Sequence, residues 1–161
     1  RRAGVSVLKP RRVDFHAHLD LYPDLAEAIR RCDAEEVATL AVTTTPRAFP
    51  RNLELTKGSA FVRVAIGLHP QLVSERGSEI SIFEDLLPET RYVGEVGLDA
   101  SPRHYRSFDQ QKMIFERVLR SMSWTWWKRS SLLRGAGSSS TGSPEAYPRL
   151  AVRSNWDATS P

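Results

Sequence analysis

The chain has 161 residues, of which 40% are hydrophobic and 26% charged, a balance that excludes wholesale disorder and allows one domain with its own core. A single cysteine, Cys32, excludes an intramolecular disulfide, and no apolar run approaches the roughly 18 residues needed to span a bilayer. Residues Arg1 to Leu8 are too short and too weakly apolar for a signal peptide, so the expectation is a soluble chain in a reducing, cytoplasmic compartment without a membrane partner.

The formal net charge of +4 is unevenly spread. Residues 1–120 carry 18 basic and 17 acidic side chains, and residues 121–161 carry 5 and 2. The later segment also holds all four tryptophans (Trp124, Trp126, Trp127, Trp156), while all four histidines precede it. The basic pI is therefore mostly a property of the tail and says little about a nucleic-acid partner for the main body.

Taken in chain order, short β-branched runs alternate with segments of helical period, the pattern of βαβ units on a parallel sheet. A strand over Val13–His16 precedes a helix from about Asp24 to Cys32, with Leu25, Ala28, Ile29 and Cys32 on one face. Val37–Thr43 reads as the second strand, followed by a turn at Pro46 and a helix around Arg51–Lys57. Phe61–Leu68 is the third strand, and a helix over about Ile80–Leu87 stops at Pro88. Tyr92–Gly97 is the expected fourth strand, ahead of an amphipathic helix from Phe108 to Arg120. Beyond Arg120 the period fades, and Ser138–Pro144 is a cluster of breakers.

Three places carry chemistry. In Val13-Asp14-Phe15-His16-Ala17-His18-Leu19-Asp20 the two histidines lie at i and i+2 of an extended segment, so both rings face one side and can reach one divalent ion. The spacing alone is equally consistent with two polar residues leaving a strand. In Tyr92-Val93-Gly94-Glu95-Val96-Gly97-Leu98-Asp99 a carboxylate interrupts an apolar strand, and burial there requires a cation, a basic partner or water; taken alone, the motif favours a Glu satisfied by an Arg or by backbone amides. His69 closes the third strand in Gly67-Leu68-His69-Pro70 and reads as a cap or supporting group rather than a ligand. All of these fall at the carboxyl ends of the first, third and fourth strands, on the face where barrel enzymes keep their sites.

Together, Asp14-Phe15-His16-Ala17-His18-Leu19-Asp20, the Gly67-Leu68-His69-Pro70 turn, and Gly94-Glu95-Val96-Gly97-Leu98-Asp99 followed by Gln110-Gln111 and Phe115 resemble the TatD family of metal-dependent hydrolases and deoxyribonucleases in both order and spacing. The resemblance implies an α/β fold, a TIM-type (β/α)8 barrel of which about four βα units lie in residues 13–120. It also implies one or two divalent ions (Mg, Mn or Zn) and hydrolysis of a phosphodiester, with DNA as substrate. By the same resemblance His16 and His18 bind one metal and Glu95 bridges to a second as the catalytic carboxylate, with Asp14, His69 and Asp99 in supporting roles.

Such a barrel usually takes about 250 residues, and the family supplies two later histidines and an aspartate that have no counterpart here. No histidine follows His104, and Asp157 lies in a different context. Residues 1–12 then read as an extension, 13–120 as a half-barrel and 121–161 as a low-order tail in a shifted frame. Trp124-Thr125-Trp126-Trp127-Lys128 must be encoded tgg acN tgg tgg aaR, which from each third base reads Asp, then Leu, Met or Val, then Val-Glu. With tcN serine codons the same shift over Ser140–Glu145 permits His or Asn, then Trp-Phe-Thr-Gly, and over Asn155–Ala158 forces Leu-Gly and permits Cys, both similar to later family segments. One out-of-frame deletion near Arg120 accounts for both losses and implies a truncated, impaired enzyme.

Other readings are an amidohydrolase-type barrel, against which the Gly94–Asp99 motif argues, a non-catalytic nucleic-acid- or protein-binding module, and a native tail that binds nucleic acid by tryptophan stacking. The frame-shift reading predicts an intact family-like frame through the tail codons in the shifted phase. Sequencing the gene checks it, and stop codons in that phase contradict it.

Overall fold

Valine-rich runs favour extended backbone, and the computed structural model, which describes residues 9–134 with side chains to residue 125, pairs three of them in one parallel sheet. The strands are β1 (Arg12–Ala17), β2 (Val37–Val42) and β3 (Val62–Ala65), in the order β1-β2-β3. Val13 lies opposite Ala38 and Ala41 opposite Val64, so the carboxyl ends finish together along one edge of the sheet.

The connections are helical, as parallel neighbours require. α1 (Leu25–Ala34) starts where Asp24 accepts the Glu27 amide at 2.9 Å, satisfying a donor of the first turn. α2 (Phe49–Thr56) follows a 3-10 turn over Pro46–Ala48. α3 (Val73–Arg76) and α4 (Ile80–Leu86) lie between β3 and the fourth extended segment, and Pro88 falls in the 3-10 turn that ends α4.

These helices cover the sheet face that carries Val62, Val64 and Ile66. Leu25 and Ile29 of α1 pack with Leu19, Ala41 and Val62, while Phe49, Ile80, Phe83, Leu87 and Val118 enclose Val64 and Ile66. Phe49 and Phe83 are completely buried. Full burial of such a side chain contributes roughly 1.5–3 kcal/mol each, which makes them the main apolar anchors of the α2 and α4 contacts. Successive parallel strands with helices on one face form a wedge of a (β/α)8 barrel. β1 has a strand partner on one side only among the described residues, and Phe15 on it is 76% exposed.

The fourth expected strand, Tyr92–Gly97, is not a regular one. It contributes a single bridge, Ile66 with Val93. The Ile66 amide bonds the Tyr92 carbonyl and the Gly94 amide bonds the Ile66 carbonyl, but the Leu68 amide then reaches the carbonyl of Glu95. A regular parallel ladder would place that acceptor one residue earlier, so the register slips after Gly94 and the strand stops there. A second difference lies at the other end. The long helix α5 (Phe108–Arg134) continues through Trp124 to Arg134 instead of ending at Arg120. Within the expected tail, Ser138–Pro144, Trp156 and Asp157 lie outside the described residues, as do residues 1–8 of the expected extension.

Gly67 is where β2, β3 and the fourth segment come closest. A Cβ there would sit 2.2 Å from the Thr43 carbonyl oxygen, 2.4 Å from the Glu95 nitrogen and 2.5 Å from the Gly94 oxygen. All three are backbone atoms, so nothing can swing aside. Gly67→Ala is therefore predicted to destabilise the fold by about 1–3 kcal/mol or more; urea unfolding checks this, and a loss below about 0.5 kcal/mol, the range of inert surface changes, contradicts it.

Candidate metal centre

His16 leaves the end of β1 and His18 begins the turn after it, so the pleat carries both rings to the same side with Ala17 between them. Their Nε2 atoms stand 3.2 Å apart, and each also faces Oε2 of Glu95, at 3.3 Å from His16 and 3.2 Å from His18. The Glu95 carboxylate arrives from the slipped fourth segment. Its side chain is 29% exposed and is met by imidazoles, with no arginine among its partners.

Hydrogen bonds decide which ring nitrogens carry protons. The Nδ1 of His18 lies 3.0 Å from the carbonyl oxygen of Val42 at the end of β2. A carbonyl only accepts, so Nδ1 carries a proton, and in the neutral tautomer Nε2 presents a lone pair towards Glu95. In that tautomer two acceptors face each other at 3.2 Å, an arrangement that a cation, or a second proton on the ring, makes favourable. Three ligand atoms, one each from His16, His18 and Glu95, lie within 4.8 Å of one another. Two imidazole nitrogens and a carboxylate oxygen are the donor set of a divalent cation such as zinc or manganese, so the residues present fit the ion.

His69 is arranged differently. Its Nδ1 accepts the Gln71 amide at 3.2 Å, so its Nε2 bears the proton and donates to Glu95 Oε2 at 3.3 Å. It thus orients the carboxylate and does not belong to the three-atom donor group. Asp14 accepts the His16 amide at 3.0 Å and so braces the strand end beneath that ring. Asp99 is further out. Hydrogen bonds from the Ser101 backbone and side chain, and then from Gln71, hold its carboxyl below the ordinary carboxylate range.

Other residues complete the arrangement. Asp20 Oδ2 accepts both the amide and the hydroxyl of Thr44, at 3.0 and 2.9 Å, and the Thr44 carbonyl accepts the His69 amide. The turn after β1 is thereby tied to the ends of β2 and β3. Oδ1 of Asp20 is buried without a hydrogen-bond partner. Completely buried Gln111 of α5 accepts the Asp99 amide at 2.7 Å and donates to the carbonyls of Asp99 and His104. Asp20 and Gln111 were visible only as members of motifs. The Val42 carbonyl and the Gln71 amide have no signal in side-chain identity at all.

Among known proteins, residues 13–122 match the family model described as TatD related DNase. No curated protein matches the chain.

Removing a metal ligand and removing a group that orients one have different consequences. His18→Ala is predicted to abolish stoichiometric Mn2+ binding in calorimetry, while His69→Ala leaves one site that is about 10- to 100-fold weaker, the usual cost of losing an outer hydrogen bond. Equal losses in the two variants contradict this division of roles.

Proposed function

The chain belongs to the TatD related DNase family over residues 13–122, and from that premise we propose that it is built to hydrolyse phosphodiester bonds of DNA with water activated by a divalent cation. The observation that carries the reading is the convergence of His16 Nε2, His18 Nε2 and Glu95 Oε2 at the carboxyl ends of the strands. In this reading His16, His18 and Glu95 would hold one or two divalent ions, with Glu95 as the catalytic carboxylate, and Mg, Mn or Zn would serve.

A bound cation would supply hydroxide at neutral pH and positive charge against the phosphate oxygens. The remaining work falls to the chain. The Val42 carbonyl holds the His18 proton on Nδ1 and keeps Nε2 free to bind. His69 donates to Oε2 of Glu95 and limits rotation of that carboxylate. Asp14, through the His16 amide, holds the strand end that carries the first ring. Fixing these groups in advance places the attacking oxygen and the phosphate without reorganisation during reaction.

We also propose that activity is impaired in these 161 residues. The resemblance calls for later ligands that the sequence lacks, since no histidine follows His104. The amidohydrolase alternative is disfavoured by the family match.

The test is hydrolysis of single-stranded DNA with Mg2+ or Mn2+ by this chain, by a frame-restored version and by the His16→Ala variant of each. The restored version is predicted to be the most active and to lose more than about 100-fold with His16→Ala, because even outer-shell losses cost about 10- to 100-fold. Equal rates for the restored version and its His16→Ala variant contradict the assignment.

A further inference from the structure

The loop that leads from Glu95 into α5, residues 99–108, is exposed yet held in one conformation. Gln111 bonds it at Asp99 N, Asp99 O, His104 O and Ser107 Oγ, at 2.7 to 3.2 Å. Its own backbone closes with His104 N to Ser101 O at 2.9 Å and Ser107 N to His104 O at 3.1 Å. A buried glutamine with both ends of its amide bound is an unusual investment for a mere connector. Asp99 in turn accepts Gln71 Nε2, and Gln71 supports His69, so the loop is joined to the metal centre by a continuous chain of hydrogen bonds.

What the loop displays is specific. Tyr105 is 64% exposed and stacks on Phe108 with the rings nearly parallel, 9° apart, and centroids 5.8 Å apart. Tyr105 thus packs against a second ring while most of its surface stays exposed. Lys112 sits 5.3 Å from the centroid of the Phe108 ring. Arg103 and Arg106 flank Tyr105 in sequence and are both exposed. Arg30, Arg117 and Arg120 on the helices are each paired with a glutamate, whereas neither Arg103 nor Arg106 has an acidic partner among the described residues. Exposed guanidiniums without acidic partners and an exposed aromatic ring on one short loop match the two chemistries of a single nucleic-acid strand, a π-surface and a phosphate chain.

We infer that residues 101–108 form a docking platform for single-stranded nucleic acid, with one base stacked on Tyr105 and adjacent phosphates held by Arg103 and Arg106. The inference rests on the proposed function for its choice of nucleic acid as partner, but it concerns a surface that holds none of the three metal-donor atoms. Because Gln111 already orders the loop, binding does not have to immobilise it, and that favours affinity. Stacking is indifferent to base identity, so the platform selects for strandedness rather than sequence.

The experiment is fluorescence anisotropy of a labelled single-stranded oligothymidylate with the full chain in EDTA, where no hydrolysis occurs. Tyr105→Ala is expected to weaken binding about 5- to 150-fold, the range for loss of one stacked base, and Tyr105→Trp to preserve it. Arg103→Ala with Arg106→Ala is expected to lower the slope of log K against log salt by about 0.7 for each phosphate no longer neutralised. His16→Ala is expected to bind the oligonucleotide normally while losing Mn2+ in calorimetry, which separates the platform from the metal centre. If Mn2+ binds through His16 but Tyr105→Ala and the double arginine variant bind like the starting chain, the platform is overturned and the metal reading stands. If His16→Ala leaves Mn2+ binding unchanged while the Tyr105 dependence is found, the metal reading fails and the platform stands. Absence of oligonucleotide binding by the starting chain overturns the platform.

Discussion

The convergence of His16 Nε2, His18 Nε2 and Glu95 Oε2, each 3.2 to 3.3 Å from the others, is the constraint around which the site is arranged. The Val42 carbonyl fixes the ring of His18 through its other nitrogen, and a cation would be held by the three atoms together. Each supporting interaction serves to bring these atoms together. The parallel register of β1 and β2 places Val42 beside the turn after His16. Gly67 lets the fourth segment approach β3 until Glu95 reaches the same edge, and His69 ties the carboxylate from its other side.

That dependence explains why the fold invests in backbone hydrogen bonds at the strand ends rather than in surface ion pairs. Asp20 joins the β1 turn to Thr44, Thr44 joins His69, and Gln71 fixes the ring of His69. The Asp20–Thr44 hydrogen bonds are partly buried, and all of these contacts converge on one place, so they define a geometry. By contrast, pairs such as Arg30 with Glu27 and Lys112 with Asp109 are exposed and stabilise by little, about 0–1 kcal/mol each.

Much of this was legible in residue types and their spacing. The alternation of short β-branched runs with helical segments located β1, β2, β3, α1 and α4; β2, β3 and the two helices each have an apolar face that is buried, and α1 and α4 carry a cap or stop in Asp24 and Pro88. His16, His18 and Glu95, which the fold brings together, stood out for a chemical reason: an HxH pair leaving a strand and a carboxylate inside an apolar run are both costly without a partner. The fourth strand was misread because an apolar run shows a buried segment but cannot show that its ladder slips after Gly94. The end of α5 was misread because the weakening apolar period near Trp124 concealed a helix that nonetheless continues to Arg134. The Val42 carbonyl and the Gln71 amide were illegible because backbone groups look the same in every sequence.

The central claim is that His16, His18 and Glu95 hold one divalent ion. X-ray absorption of the protein loaded with one equivalent of zinc tests it most directly, in solution and without any assay of activity. The account predicts two imidazole nitrogens at about 2.0–2.1 Å with oxygen ligands completing the shell, and loss of the imidazole scattering in the His16→Ala, His18→Ala double variant. A shell built only of oxygens, or one unchanged in the double variant, would contradict it.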